Sequence, residues 1–117
     1  MRRILKQLND VAGVKGSLVV THDGIVVAAH LSRALREDTV AAVAAGVIAS
    51  TRRALGQSGL DGFARLTLVA SHGKMVFTDT GPAYLVVVTD RNLELAPVDI
   101  EIESAAMRIR NLGEIRV

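Results

Sequence analysis

The sequence contains no cysteine and only three aromatic side chains, Phe63, Phe77 and Tyr84, in 117 residues. The first absence excludes disulfides, thiol catalysis and structural zinc of the usual type. The second predicts a core built from Val, Leu, Ile and Ala, of which there is ample supply in a chain that is 50% hydrophobic. An excess of one charge is also missing. Fourteen Lys plus Arg against twelve Asp plus Glu leave a net charge of +2, too balanced for a nucleic-acid-binding protein. The apolar run at residues 40–49 is too short to span a membrane and is followed at once by Ser50, Thr51, Arg52 and Arg53. Gln7, Asn9 and Asp10 interrupt any signal-peptide core behind Arg2, Arg3 and Lys6, so a cytoplasmic location is expected, with no membrane insertion. The length fits one domain over residues 1–117.

Recognisable catalytic patterns are scarce as well. His22, His30 and His72 show no metal-ligand spacing, and two of them fall at turns. Ser17 with His22 and Asp23 suggests a hydrolase triad only superficially. No Gly-x-Ser-x-Gly elbow is present, and adjacent His and Asp on a tight turn orient each other poorly. The glycine-rich residues 56–62 lack the Lys-Ser/Thr of a phosphate-binding loop, and Gly73-Lys74 is followed by Met75. Asp99, Glu101 and Glu103 read as a solvated helix start, where acids are favoured. The expectation is therefore no catalytic residue, no cofactor and no metal.

What is present is organised around residues 38–55. At about 100° per residue, Val40, Val43, Ala44, Val47, Ile48, Thr51 and Leu55 form one large apolar stripe. Ala42, Ala45, Gly46 and Ala49 form the other side, where an outer helix face normally carries Lys, Glu or Gln. A helix apolar on both sides is covered on both sides. The first stripe covers a sheet; small side chains on the second allow close approach of another helix, so a second copy of the same helix is the expected cover. Thr39, Ser50 and Arg53 flank the small face and form the expected docking surface for a further partner.

The flanking segments complete the pattern. Ile4, Leu5, Leu8, Val11 and Ala12 recur at helical spacing and end at Gly13. Residues 14–21 and 25–30 read as a hairpin through Asp23-Gly24. Asp38 is the expected cap of the central helix. Residues 64–70, 74–78 and 84–89 read as three antiparallel strands joined by short turns. Leu18-Val19-Val20 and Leu85-Val86-Val87-Val88 show no polar alternation and belong mid-sheet. The last segment alternates at Ile100-Glu-Ile-Glu like a strand, yet Val98, Ile102, Ala105, Ile109 and Leu112 share one helical stripe, and its length favours a helix. The order is αββαβββα. The fold class is α+β, an α/β sandwich: a five-stranded antiparallel sheet with one long helix on one face and two shorter helices on the other.

With these residues in place, the chain resembles the Roadblock family of dynein light-chain relatives. The first helix ending in Val-Ala-Gly-Val-x-Gly, the apolar strand, Asp-Gly-Ile-Val-Val-Ala, the small-residue helix after Glu37-Asp38 and the run Tyr84-Leu85-Val86-Val87-Val88 carry the resemblance. It implies a non-enzymatic homodimer in which central helices pair and third strands join edge to edge, bringing Arg65 and Thr67 to the interface. It also implies a small Ras-like GTPase as partner, as for bacterial gliding-motility relatives that stimulate GTP hydrolysis. Arg52 and Arg53 are candidates for an arginine finger, although cations commonly sit at helix ends. The competing readings are a general protein-interaction scaffold and a small-molecule sensor. The second is disfavoured by few aromatics and no convergent polar groups.

Overall fold

The computed structural model describes residues 1–114. Its elements are α1 (Arg2–Asn9), β1 (Val14–Thr21), β2 (Val26–Leu31), α2 (Glu37–Gln57), β3 (Arg65–Val69), β4 (Lys74–Asp79), β5 (Ala83–Thr89) and α3 (Ala96–Glu114). The strands form one antiparallel sheet in the order β2-β1-β5-β4-β3. The expected architecture is therefore the observed one, with the last segment helical.

The continuously apolar strands β1 and β5 lie inside the sheet, and successive side chains on them point to opposite layers. Leu18, Val20, Tyr84 and Val86 meet Ala41, Ala44 and Ile48 of α2. Val19, Leu85 and Val87 meet Ile4, Leu5 and Leu8 of α1 and Val98, Ile102 and Ile109 of α3. Two cores thus share one sheet, and each fully buried Val, Leu or Ile contributes about 1.5–3 kcal/mol. All three aromatic residues fall on the α2 side, where Phe63 stacks on Tyr84 at 4.6 Å between ring centroids. The core is therefore aliphatic on the α1–α3 side only.

Several local expectations need correction. Asp38 does not cap α2. The helix begins at Glu37 after Arg36, with no side-chain cap. The Asp38 carboxylate instead accepts from the Thr39 amide at 2.9 Å and pairs with Arg36 at 3.5 Å. Val43 is not on the sheet-facing stripe but 47% exposed, while Ala41 is buried. On a wheel centred between Ala44 and Ile48, Ala41 lies about 40° away and Val43 about 120°. The geometry of the helix decides against residue size. The two helices on the other face, α1 at 8 and α3 at 19 residues, are shorter than α2 at 21, as expected.

Turns and polar anchors fix the layers. Gly13, at φ +91°, ends the α1 connection, and a Cβ there would sit 2.9 Å from Leu93. Its carbonyl accepts from the Asp90 amide at 2.9 Å, tying that turn to the end of β5. The buried Ser17 hydroxyl bonds to Asn9 at 2.8 Å, and Asn9 donates to the His30 carbonyl at 2.6 Å. Ser17 thereby belongs to the α1 side, whereas the His22 ring rests on Tyr84 on the α2 side at 4.9 Å. The sheet separates the two, and they form no triad.

Candidate functional site

α2 displays the feature that the rest of the protomer does not use. Thr39, Ala42, Val43, Gly46, Ala49, Ser50 and Arg53 are all exposed and recur every three or four residues, so they form one continuous outer strip. Its middle is small and apolar, with Val43 as the single large side chain. A Cβ added at Gly46 would meet nothing within 4 Å. The protomer therefore supplies no steric reason for a glycine that costs about 0.5–1 kcal/mol relative to alanine inside a helix.

Ala45 sits at the flank of this strip. It is half-buried, and the turn after β1 presses on it: a Cβ on Gly24 would come within 2.7 Å of the Ala45 Cβ. Glycine at φ +91° serves both the turn and that close approach. The hairpin thus braces α2 from the side and leaves Ala42, Gly46 and Ala49 open.

β3 is an edge strand that pairs only with β4 among the described residues. It carries no proline, and Thr67, Leu68 and Val69 are exposed along it. Its outer backbone groups are those on which another strand can pair. Arg65 does not point to that edge. Its guanidinium forks onto Asp99 and Glu103 of α3, the latter at 2.8 Å, so it is engaged within the protomer. Asp99 lies in the first turn of α3 as expected, and both carboxylates stay accessible to solvent while they pair with Arg65.

The two arginines of α2 divide sharply. Arg52 Nη1 donates to the Tyr84 hydroxyl at 3.3 Å, and that hydroxyl donates to the Phe63 carbonyl at 3.2 Å. Arg52 thereby pins the chain leaving α2 to the core. Arg53 is exposed and forms no ion pair among the described residues. Thr39, Ser50 and Arg53 share the outer strip, whereas Arg65 lies on the opposite layer. The sequence places Val43 on the sheet-facing stripe and singles out no role for Leu68; the wheel angle of Val43 is the available signal.

Other regions show less chemistry. An apolar groove of about 380 Å³ opens beside Val19, Val27, Pro82, Ile109 and Leu112, and among the described residues no charged side chain lines it. A bulge where the register of β2 shifts turns Val27 towards that groove. Such a groove has shape but not the convergent polar groups that orient a small ligand. No cluster of three or more His, Asp or Glu able to hold a metal occurs among the described residues. No described helix is long and apolar enough to cross a membrane.

Comparison with known proteins adds a family context. Residues 2–89 match the family model described as the Roadblock/LC7 domain, which stops before α3. An uncharacterized protein of Methanocaldococcus jannaschii is 35% identical over 108 residues, covering 92% of each chain. The structure of Myxococcus xanthus MglB superposes with a TM-score of 0.89 at 19% identity, over 99% of this chain and 89% of that one. A Roadblock/LC7 domain from Streptomyces avermitilis gives 0.84 at 17% identity, covering 97% and 98%.

Proposed function

The chain belongs to the Roadblock/LC7 domain family, and we propose that it is a non-enzymatic homodimeric regulator or scaffold for a small Ras-like GTPase. The observation that carries this reading is the open strip on α2 with an otherwise unexplained glycine at its centre. Two such helices related by a two-fold axis approach closely through Ala42, Gly46 and Ala49, and Val43 fills the space beside them. The free edge of β3, with Thr67 and Leu68, adds a second contact of the same symmetry.

Pairing of the helices sets Thr39, Ser50 and Arg53 of both protomers around one outer surface. A GTPase docked there touches two chains at once. Stimulation of hydrolysis then needs no residue from this protein in the chemical step. Holding the GTPase's own groups in a productive arrangement is a positioning effect, and positioning carries much of phosphoryl-transfer catalysis. Arg52 is committed to Tyr84 and Phe63, which leaves Arg53 as the cation of α2 available to a partner.

Sedimentation of the wild-type chain and affinity capture from its native lysate test the proposal together. The expected result is a dimer that retains a small GTPase loaded with a non-hydrolysable GTP analogue. A monomer, or a dimer that retains no GTPase with either that analogue or GDP, overturns it.

A further inference from the structure

The last helix, outside the region matched by the family model, presents two different surfaces. Val98, Ile102, Ala105, Ala106 and Ile109 are buried against the sheet and α1. On the far side Ile100, Ser104, Met107 and Asn111 are exposed, Ile100 by 75% and Met107 by 65%. These four positions alternate steps of four and three residues, the seam spacing of a coiled coil. Charges flank the seam in a matched way. Glu101 and Arg108 lie along one side, Glu103 and Arg110 along the other, each pair separated by two helical turns.

Such a surface is complementary to itself when turned end for end. In an antiparallel pair, Ile100 of one helix meets Met107 of the other, with the small Ser104 near the two-fold axis. Glu101 then faces Arg108 of the second copy, and Glu103 faces Arg110, twice over by symmetry. Contacts within the protomer leave much of this charge available. Arg108 donates to the neutral Gln7 amide oxygen at 2.9 Å, and Arg110 to the Asp79 carbonyl at 3.2 Å. Glu101 forms no ion pair among the described residues, whereas Glu103 is already shared with Arg65. The Glu101–Arg108 pair is therefore the dominant charge contact.

We propose that the outer face of α3 docks antiparallel onto α3 of a second copy of this chain. This contact is separate from the α2 strip and does not depend on it. Two apolar residues and exposed charges make it a weak, reversible, salt-sensitive association that joins α2-linked dimers into larger assemblies.

A charge-swap experiment tests it on the full chain carrying Gly46→Arg, which blocks the α2 strip. Sedimentation velocity at low ionic strength should show self-association that high salt reverses. Glu101→Arg or Arg108→Glu alone places like charges in contact and should weaken it by at least roughly tenfold. An equimolar mixture of the two single variants should restore the heavier species. Circular dichroism checks folding, and the same swaps in the chain with Gly46 intact should alter only the step from dimer to larger species. The proposal is overturned if both single variants associate as the parent does, or if their mixture is no heavier than either alone. It is equally overturned if the parent is monomeric at every salt concentration and the wild-type chain stops at a dimer. Should the Gly46→Arg chain remain dimeric until Glu101→Arg is added, the α3 contact stands and the α2 pairing fails.

Discussion

The outer face of α2 and the outer face of α3 solve different problems with the same element. On the α2 strip between Thr39 and Ser50 the exposed residues are uncharged and, Val43 apart, small; along α3 they alternate large apolar side chains with charges of both signs. Small side chains let helix backbones come together over a long strip, a contact that dispersion and burial stabilise and salt barely affects. A charged seam holds helices farther apart and responds to ionic strength. The difference teaches that exposure alone says little about a helix face. What distinguishes the two is how closely another backbone can approach.

The inner and outer sides of α2 give the first and largest test of that contrast. Ile48 is fully buried under the sheet. Ile48→Ala should cost about 2–5 kcal/mol of folding stability, measured by urea unfolding under conditions that keep the protein monomeric. Val43→Ala, on the outer side, should change monomer stability by less than about 0.5 kcal/mol. Equal losses at both positions would show that the outer strip is already covered within the protomer.

Gly46→Arg comes next. The side chain meets no protomer atom at its Cβ, so the fold should be retained. Placed where backbones are proposed to meet, it should raise the dimer dissociation constant by about a hundredfold or more. An unchanged elution volume would remove the small-residue argument. Arg53→Glu, at the end of the same strip, should leave folding and dimerisation intact. Its expected effect is a loss of about 1–2 kcal/mol in binding the GTPase, read by titration calorimetry. Undiminished binding would move the partner surface away from α2.

Much of this was legible in the chain, and the rest was not, for identifiable reasons. Uninterrupted apolar runs placed β1 and β5 mid-sheet because only strands covered on both faces lack alternation. The Asp23-Gly24 turn was readable because positive φ demands a particular residue. Val43 resembles a sheet-facing residue in size, but its wheel angle turns it outward. The Tyr84 cluster was invisible: it joins His22, Arg52 and Phe63, which only the folded sheet brings together. In the same way, Asp99 and Glu103 show no partner until the strand that supplies one is placed.

That partner is Arg65, and it yields the smallest and most discriminating prediction. The family resemblance implies an edge strand at β3, which the sheet order bears out, and it brings Arg65 and Thr67 to the interface. A long side chain need not follow its backbone to that edge. The Arg65 guanidinium reaches Asp99 and Glu103, 34 and 38 positions away in sequence, and its side chain is 27% accessible. Partial exposure screens the charges, so the fork is worth no more than about 1 kcal/mol despite its two partners. Arg65→Gln should therefore lower folding stability by about that amount, with the loss shrinking as salt is raised. The dimer dissociation constant should stay within roughly twofold of the wild type, because the pairing groups on the edge are backbone atoms. Thr67→Pro, by contrast, takes an amide away from the same strand and prevents regular pairing there. If Arg65→Gln dissociates the dimer while leaving monomer stability unchanged, the guanidinium serves the second chain and the contact with α3 is secondary. If it loosens the fold and spares the dimer, β3 carries two separate functions on one short strand. Its side chains then hold α3, and its backbone remains available to the second copy.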